Sequence, residues 1–368
     1  MSNRAVVLEA FGEPLALRAH PTPDVVGPGS ALVRIAFGGV CGTDVHLHQG
    51  RLPIPTPVVL GHEAVGVIEV LGEGLEKDIN GRPLKVGDRV GWASSIPCGR
   101  CPSCLMEGER TLCVNRRVYG INQRFDEFPG LSGGWADRAY LQPNSAIVRI
   151  PDSVSFEQVI ALGCAGPTAV HGLLHRTDVR GGDVVVVQGA GPVGIASALF
   201  ARVAGAGKVI VVGGPTSRVD LLQELGVADV VIDIDRVPDP AERARLVNEH
   251  TAQGTGADVV VECTGFPPAV AEGLDLCRPN GQYLVLGQYT DHGPTPINPH
   301  LITKKQLRVL GSWAFAERHY VQYVESVPRL AELCDLERLI TPFGLEQAND
   351  AVAAVADGSV VKAVLSTQ

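Results

Sequence analysis

A glycine-rich loop lies between an apolar run and a helical segment near the middle of the chain. Gly189, Gly191 and Gly194 form a GxGxxG pattern directly after VVVVQ, and the pattern opens the segment IASALFARVAGAG. In such a context the first glycine makes a tight turn, the second lets the backbone approach a pyrophosphate, and the third packs helix against strand. The loop therefore predicts a strand, a turn and a helix that hold a dinucleotide at the helix N-terminus.

Five apolar runs alternate with helical segments in the region from about 166 to 312. The runs are VVVVQG, KVIVVG, DVVIDI, DVVVEC and QYLVLG. Strands that are apolar on both faces and joined by helices predict a parallel, doubly wound sheet. The uncharged run at 184–201 has the length of a membrane span, but its early Gln, Gly and Pro residues favour a buried strand, turn and helix.

Length and charge narrow the class of protein. The chain has 368 residues, which favours two domains over one. Residues 1–165 carry short β-type runs broken by Gly, Pro and Asn-Gly turns, and residues 313–368 return to mixed character. The net charge is −9 and the basic residues are scattered, which argues against a nucleic acid partner. The opening segment MSNRAVVLEAFGEPL has too short an apolar run for a signal peptide, so we expect a cytoplasmic protein with no membrane partner.

The end of the second apolar run bears on the choice of dinucleotide. An acidic residue there usually binds the adenosine ribose and repels a 2'-phosphate, but KVIVV ends in Gly213 and Gly214. The missing acid removes a barrier to NADP, for which Thr216, Ser217 or Arg218 would be the contacts. No Arg directly follows the two glycines, however, and we therefore expect NAD rather than NADP.

Four of the nine cysteines share one short lobe at about 97–114. They are Cys98, Cys101, Cys104 and Cys113, with the spacing C-x2-C-x2-C-x8-C. Four thiolates in a tetrahedral array suit a zinc ion that stabilises structure and has no open coordination position. An iron-sulfur cluster is the alternative, but the ferredoxin run has only three residues before its fourth cysteine and a Pro after it. The spacing here favours zinc.

The remaining cysteines fall into two groups. Cys263, Cys277 and Cys334 lie in strand or helix patterns and are interpreted as small core residues. Cys41 and Cys164 instead lie in glycine-rich turns, and the segment GHEAVG between them contains His62. Two cysteines and a histidine make a ligand set that zinc uses when it keeps a fourth position for water or substrate. Taken alone, His62 is also compatible with a hydrogen-bonded core histidine.

These segments together resemble the zinc-dependent alcohol dehydrogenases of the medium-chain dehydrogenase/reductase superfamily. CGTDVH, GHEAVG, the four-cysteine lobe, GCAGPT, GAGPVG, VECTG and GQYLVLG occur in the family order and cover essentially the whole chain. The resemblance implies a mostly β, GroES-like catalytic domain at 1–165, a Rossmann coenzyme domain at 166–312 and a return to the catalytic domain at 313–368. It implies a reversible, NAD(P)-dependent oxidation of an alcohol or polyol, two zinc ions per chain and a homodimer or homotetramer.

The resemblance also assigns roles to individual residues. Cys41, His62 and Cys164 correspond to the catalytic zinc ligands, and the four lobe cysteines to the structural site. Asp44 corresponds to the carboxylate that orients the imidazole of His62, and Thr43 and His46 to a proton relay. Glu63 lies beside the metal as a transient or alternative ligand. The expected cofactor contacts are Gly189, Ala190, Gly191, Pro192, Val193, Gly194, Gly213, Gly214, Arg218, Thr264 and Gly287.

The chain also departs from the family pattern, and rival functions follow from parts of it. Eight residues separate the last two lobe cysteines where many relatives have seven. The stretch after the lobe is long, and its Tyr119, Phe125 and Trp135 either contact substrate or only pack the loop. A zinc-free enoyl or quinone reductase would share the glycine loop, but the Cys2His set argues against it. A non-catalytic zinc-ribbon protein is disfavoured by the acidic net charge.

Overall fold

A computed structural model describes residues 2–106 and 108–367, and these residues form two compact units. The first unit contains the described residues up to Cys164, the segment Ala316–Pro328 and the described residues from Leu336 onward. The second unit contains Ala165–Phe315 and Arg329–Asp335. The first unit is thus built from segments that are far apart in the sequence.

The strands follow the alternation of apolar and turn residues along the chain. They are β1 (Ser2–Leu8), β2 (Ala16–Pro21), β3 (Ala31–Val40), β4 (Val58–Val59), β5 (Ala64–Leu71), β6 (Arg89–Trp92), β7 (Ser95–Ile96), β8 (Arg117–Val118), β9 (Arg138–Leu141), β10 (Ile147–Arg149), β11 (Val184–Gln188), β12 (Lys208–Gly213), β13 (Val230–Asp233), β14 (Ala257–Glu262), β15 (Cys277–Val285), β16 (Arg308–Gly311), β17 (Ile340–Gly344) and β18 (Lys362–Ser366).

Most of the helices are short, and several begin with Pro in the first turn, where its missing N–H is tolerated. They are α1 (Gly42–His48), α2 (Pro102–Leu105), α3 (Phe156–Ile160), α4 (Ala165–Ala169), α5 (Pro192–Val203), α6 (Thr216–Glu224), α7 (Pro240–Glu249), α8 (Pro267–Leu276), α9 (Pro299–Lys305), α10 (Glu317–Leu333) and α11 (Ala348–Ala356). A π-helical segment, Val170–Leu174, follows α4. Among the helices of the described ranges, none has the length and apolar character needed to cross a membrane.

The first unit is mostly β. Its main sheet has the order β10-β6-β5-β3-β18-β17, with β9 paired to β3, and a smaller sheet has the order β2-β1-β4. The pairs are antiparallel except β17 with β18. Two clusters of buried side chains fill this unit, one around Val33, Ile35 and Trp92 and one around Leu47, Leu60 and Trp135. Because β18 lies between β3 and β17, the last described strand completes the sheet.

The second unit contains the predicted parallel sheet. Six strands lie in the order β13-β12-β11-β14-β15-β16, and every pair is parallel. The five apolar runs form β11 to β15, which confirms the doubly wound interpretation. The uncharged run at 184–201 divides into β11 and α5, as its Gln, Gly and Pro residues predict. The sixth strand, β16, was not predicted because three of its four residues are exposed.

Candidate active site

Cys41 and Asp44 are positioned by the start of α1. Cys41 is the N-cap residue with extended backbone, and its N–H donates to Asp44 Oδ2 at 2.9 Å. The Asp44 side chain is fully buried. A carboxylate at the third position of a helix commonly reaches back to the N-cap N–H, which fixes both residues. The local sequence CGTD therefore holds one sulfur and one carboxylate in defined places.

His62 lies in the tight segment between β4 and β5. Gly61, directly before it, has a φ of +91°, and a Cβ there would collide with the indole ring of Trp135. Only glycine lets the chain pass so close to a fully buried Trp. His62 Nδ1 lies 3.2 Å from Asp44 Oδ1, and both side chains are buried. The carboxylate thus accepts a hydrogen bond from Nδ1–H, which leaves Nε2 as the nitrogen available to a metal.

Cys164 brings the third donor to the same place. The ligand atoms of Cys41, His62 and Cys164 all lie within 4.8 Å of one another. Bonds to zinc of about 2.3 Å from sulfur and about 2.1 Å from nitrogen allow one ion to reach donors at this spacing. The three residues come from separate segments, so their convergence is a property of the fold and not of one loop. The donor set therefore fits zinc.

The charges around this cluster favour a cation. A hydrogen bond from the Cys164 thiol holds the pKa of Cys41 well below that of an ordinary thiol. Burial lowers the pKa of His62, but the negative charge of Asp44 favours the protonated imidazole, and the pKa is raised well above its usual value. A buried group whose positive form is stabilised in this way marks a region of negative potential. The cluster of donors thus attracts positive charge.

Glu63 and Lys362 form a buried ion pair beside the cluster. Lys362 Nζ contacts Glu63 Oε1 and lies 3.4 Å from the carbonyl oxygen of Val40. Burial lowers the pKa of Lys362, but the Glu63 carboxylate outweighs it and the pKa is raised. A Cβ on Gly39 would lie 2.6 Å from Glu63 Cδ, and one on Gly163 would lie 2.8 Å from Glu63 Oε2. Two glycines therefore leave the space that the carboxylate fills.

Lys362 was missed by the sequence analysis. It is only 3 % exposed, although lysine is rarely buried without a partner. The available signal was a single Lys inside the otherwise apolar run VVKAVL. Its partner lies 299 residues away in the chain, so no local pattern connects the two.

Thr43 and His46 both lie on α1, three residues apart. Residues at this spacing share one side of a helix, so the two side chains are neighbours. Both are partly exposed, unlike Asp44, which is fully buried. The first turns of α1 therefore present a hydroxyl and an imidazole on the side that is open to solvent.

The four-cysteine lobe forms a separate cluster. Cys98, Cys101, Cys104 and Cys113 place their sulfurs within 4.8 Å of one another, and β7 and β8 pair at the base of the lobe. The Arg100 backbone N–H contributes most to lowering the pKa of Cys98 to about 6. All nine cysteines lie in the described ranges, and none of them forms a disulfide. Four converging thiols without a disulfide fit a structural zinc ion.

The glycine loop of the second unit has the predicted geometry. A Cβ on Gly194 would collide with the carbonyl oxygen of Gly189, so helix α5 packs directly on the loop. A Cβ on Gly191 would meet only Arg218 Nη1, at 3.9 Å, which leaves the loop open on that side. Gly191 is also the N-cap of α5, whose unpaired N–H groups favour a bound phosphate.

A buried carboxylate organises the neighbouring strand ends. Glu262, at the end of β14, is fully buried and accepts from the backbone N–H and the hydroxyl of Thr264, both at 2.6 Å. It also accepts from the N–H of Gly265 at 2.9 Å and of Gly287 at 3.1 Å. Thr264 and Gly287 were predicted as cofactor contacts, and Glu262 was not singled out. The signal in the sequence was a Glu at the end of an apolar run, shortly before a Thr-Gly pair.

Two of the three aromatic residues after the lobe, Tyr119 and Trp135, pack in the interior of the first unit. Tyr119 and Trp135 are essentially unexposed, and the Trp135 indole donates to the carbonyl of Gly39 at 2.9 Å. The Tyr119 hydroxyl accepts from the Gln142 backbone N–H at 2.7 Å, and burial raises its pKa to about 12. Phe125 lines a surface cavity of about 600 Å³, whose described lining includes none of the predicted site residues.

Comparison with known proteins extends this picture. The alcohol dehydrogenase GroES-like domain family matches residues 27–152, and the zinc-binding dehydrogenase family matches residues 192–331. A 5-exo-hydroxycamphor dehydrogenase of Pseudomonas putida is 38 % identical over 92 % of both chains. A sorbitol dehydrogenase of Halalkalibacterium halodurans is 34 % identical over 80 % of this chain and 78 % of its own length.

Solved structures agree along the whole chain. An alcohol dehydrogenase of Thermotoga maritima is 34 % identical, with a TM-score of 0.94, and covers 100 % of this chain and 99 % of its own. A zinc-binding dehydrogenase of Sinorhizobium meliloti, solved with NADP, is 27 % identical, with a TM-score of 0.85 and the same coverage. These likenesses identify a nicotinamide-dependent oxidoreductase with a GroES-like sheet and a Rossmann-type sheet. The chain therefore belongs to the zinc-dependent alcohol dehydrogenases of the medium-chain dehydrogenase/reductase superfamily.

Proposed function

We propose that this chain uses NAD to oxidise secondary hydroxyl groups of cyclic alcohols or polyols to ketones. It also catalyses the reverse reduction. The observation that carries the proposal is the convergence of Cys41, His62 and Cys164 within 4.8 Å. Three protein ligands are typical of catalytic zinc, which uses the fourth position for water or substrate. We propose the first unit as the catalytic domain and the second as the coenzyme domain.

Each residue of the cluster has a defined task in this proposal. Zinc held by Cys41, His62 and Cys164 would supply a Lewis acid that favours loss of the alcohol proton, and the nicotinamide would supply the hydride acceptor. Asp44 holds the Nδ1 proton of His62 and so keeps Nε2 directed at the metal position. Thr43 accepts and passes on the alcohol proton, and the partly exposed His46 releases it to solvent.

Glu63 and Lys362 tune the charge beside the donors. The carboxylate adds an anionic group next to the two cysteine sulfurs, and the ammonium offsets its charge. A lone buried carboxylate at that position would be strongly disfavoured, so Lys362 allows Glu63 to remain ionised near the metal. We propose that Glu63 acts there as a transient or alternative ligand.

The other proposed features concern the second zinc ion, the coenzyme and the assembly. Cys98, Cys101, Cys104 and Cys113 would hold a structural zinc ion, which gives two zinc ions per chain. We propose a cytoplasmic homo-oligomer, a dimer or a tetramer, that uses NAD in preference to NADP. Because the Sinorhizobium meliloti relative was solved with NADP, activity with NAD and activity with NADP are to be measured side by side. The proposed coenzyme contacts are Gly189, Ala190, Gly191, Pro192, Val193, Gly194, Gly213, Gly214, Arg218, Thr264 and Gly287.

Two relatives support secondary alcohols as the proposed substrate class. The Pseudomonas putida relative is named for a cyclic secondary alcohol, 5-exo-hydroxycamphor, and the Halalkalibacterium halodurans relative is named for sorbitol. Both substrates carry secondary hydroxyl groups. A panel of cyclic alcohols, polyols and primary alcohols, assayed by nicotinamide absorbance with NAD and with NADP, should show activity with secondary alcohols and NAD.

Metal content gives the second part of this test. We expect two zinc ions per chain by elemental analysis. We also expect activity to fall when a strong chelator removes the more labile ion. Full alcohol oxidation by a zinc-free preparation would contradict the proposal, and so would one zinc ion per chain located at the lobe.

Asp44→Asn should weaken the hold on the catalytic metal. The amide keeps one acceptor oxygen, but its NH₂ group opposes one of the two N–H donors that Asp44 now receives from Cys41 and His62. Loss of such a metal-orienting partner typically reduces metal affinity or activity by about 10- to 100-fold. Zinc retention during chelator competition measures this effect, with the exposed Asp152→Asn as the control. Unchanged retention would remove Asp44 from its proposed role.

A further inference from the structure

The ends of β12 and β13 carry the features that decide which dinucleotide fits. β12 is the second strand of the dinucleotide unit, whose last residue usually carries the acid that binds the adenosine ribose. That residue is Gly213 here, and its register partner on the neighbouring strand is Asp233. The acid that is missing from β12 is therefore present one strand away, at the same level of the sheet.

Two carboxylates from this neighbouring segment turn toward the start of α6. The Thr216 hydroxyl donates to Asp233 Oδ2 at 2.7 Å, and the Thr216 backbone N–H lies 3.2 Å from Asp235 Oδ2. Asp233 Oδ1 also accepts from the N–H of Asp235 at 2.9 Å. Thr216 is the first residue of α6, so carboxylates occupy the donors that a phosphate would otherwise use at this helix N-terminus.

One positive side chain, Arg236, pairs with Asp233 but is shared with a second carboxylate. Arg236 Nε lies 3.3 Å from Asp233 Oδ2, but its guanidinium also lies 3.5 Å from Asp220 and is mostly exposed. Arg218 reaches over the glycine loop, 3.9 Å from the position of a Cβ on Gly191. Asp233 is only 5 % exposed. Burial opposes its ionisation, yet hydrogen bonds from Thr216 and Asp235 outweigh it and lower the pKa, so Asp233 is charged at neutral pH.

We propose that Asp233 and Asp235 select NAD over NADP, with β13 supplying the acid that β12 lacks. The inference rests on the proposed function, because it concerns the coenzyme of that same site. Ribose hydroxyls can donate to these carboxylates, whereas a 2'-phosphate would have to displace them from Thr216 and remain beside their charge. Asp233, the last residue of β13, and Asp235, two residues after it, are thus specificity-determining residues outside the glycine motif.

The test measures coenzyme binding without turnover. The dissociation constants of NADH and NADPH are obtained from the change in nicotinamide fluorescence for the full chain and for Asp233→Asn, Asp235→Asn and the double variant. Glu224→Gln, at the far end of α6, removes the same charge and serves as the matched control. Thermal unfolding of each variant checks that the second unit remains folded.

We expect the wild type to bind NADH more tightly than NADPH. Removing one of two carboxylates beside a 2'-phosphate should strengthen NADPH binding by roughly tenfold, and removing both by more. NADH binding should change by no more than about threefold, and the control should change neither constant. Because Asp235 is exposed, its variant tests the inference even if Asp233→Asn proves unstable.

The outcomes separate the inference from the proposed function. A wild type that binds NADPH as tightly as NADH overturns the inference, and so do folded variants whose NADH to NADPH ratio stays unchanged. The first result also contradicts the proposed preference for NAD, but both results leave the proposed alcohol oxidation in place. A wild type that binds neither nucleotide overturns the proposed function as well.

Discussion

Cys41→Ser will reduce alcohol oxidation by about 10³-fold or more, since Lewis-acid stabilisation is worth several kcal/mol and each 1.4 kcal/mol is a factor of ten. Serine offers a hydroxyl of high pKa in place of a sulfur whose pKa is held well below that of an ordinary thiol. It also has a shorter bond to Cβ, so its oxygen does not reach the position of the sulfur. The kcat/KM for the best alcohol of the panel measures the loss.

The control for this variant is Cys334→Ser. Cys334 is buried and belongs to neither sulfur cluster, so the same chemical change is made away from the site. We expect near wild-type activity from the control. Cys41→Ser should bind one zinc ion where the wild type binds two, and its NADH affinity should be retained because the glycine loop belongs to the second unit. A Cys41→Ser enzyme that keeps a tenth of the activity or more would refute the assignment of Cys41 as a ligand.

Cys101→Ser should act on stability and not on the chemical step. Cys101 is 7 % exposed, and its sulfur lies 3.5 Å from that of Cys104. The lobe has little apolar core of its own, since Leu105, Met106 and Val114 are exposed, so the bound metal would supply most of its folding free energy. Losing a structural ligand belongs to the class of changes that cost about 4 kcal/mol or more. At about 2–4 °C per kcal/mol, the midpoint of thermal unfolding should fall by roughly 10 °C.

Leu105→Ser is the matched control within the lobe. Leu105 is 67 % exposed and ends the short helix α2, whose N-cap is Cys101, so this change should leave the unfolding midpoint within about 1 °C. Chelator should lower the midpoint of the wild type toward that of Cys101→Ser. If Cys101→Ser binds two zinc ions and unfolds with the wild type, the lobe is not a zinc site.

The features that the sequence predicts well are those set by neighbouring residues. The turn at Gly189–Gly194 and the apolar runs of the parallel sheet depend on spacing within one segment, so pattern alone identifies them. The lobe cysteines are similar, because loops of two and eight residues bring thiols together whatever the rest of the chain does. Cys41, His62 and Cys164 lie far apart, so their residue types and the family resemblance, rather than their spacing, related them.

The features that the sequence did not reveal arise from strand order and register. Asp233 stands beside Gly213 because β13 pairs with β12 in one particular register, which the sequence of neither strand specifies. Lys362 meets Glu63 because β18 inserts between β3 and β17. Glu262 acts on Gly287 because β14 and β15 are neighbours in the sheet. Each of these contacts joins residues that only the assembled sheet brings together.

The pairing of β18 with β3 has a consequence for folding. It joins Lys362 and Val40, which are 322 residues apart, whereas the sheet of the second unit draws its strands from one continuous stretch. Closing so long a loop is entropically unfavourable until the intervening chain is compact. A nascent chain can therefore complete the second unit first and shorten the distance between the two ends of the first unit. The first unit would then fold last. Its main sheet is complete only when β18 has been synthesised, hundreds of residues after the first two proposed metal ligands.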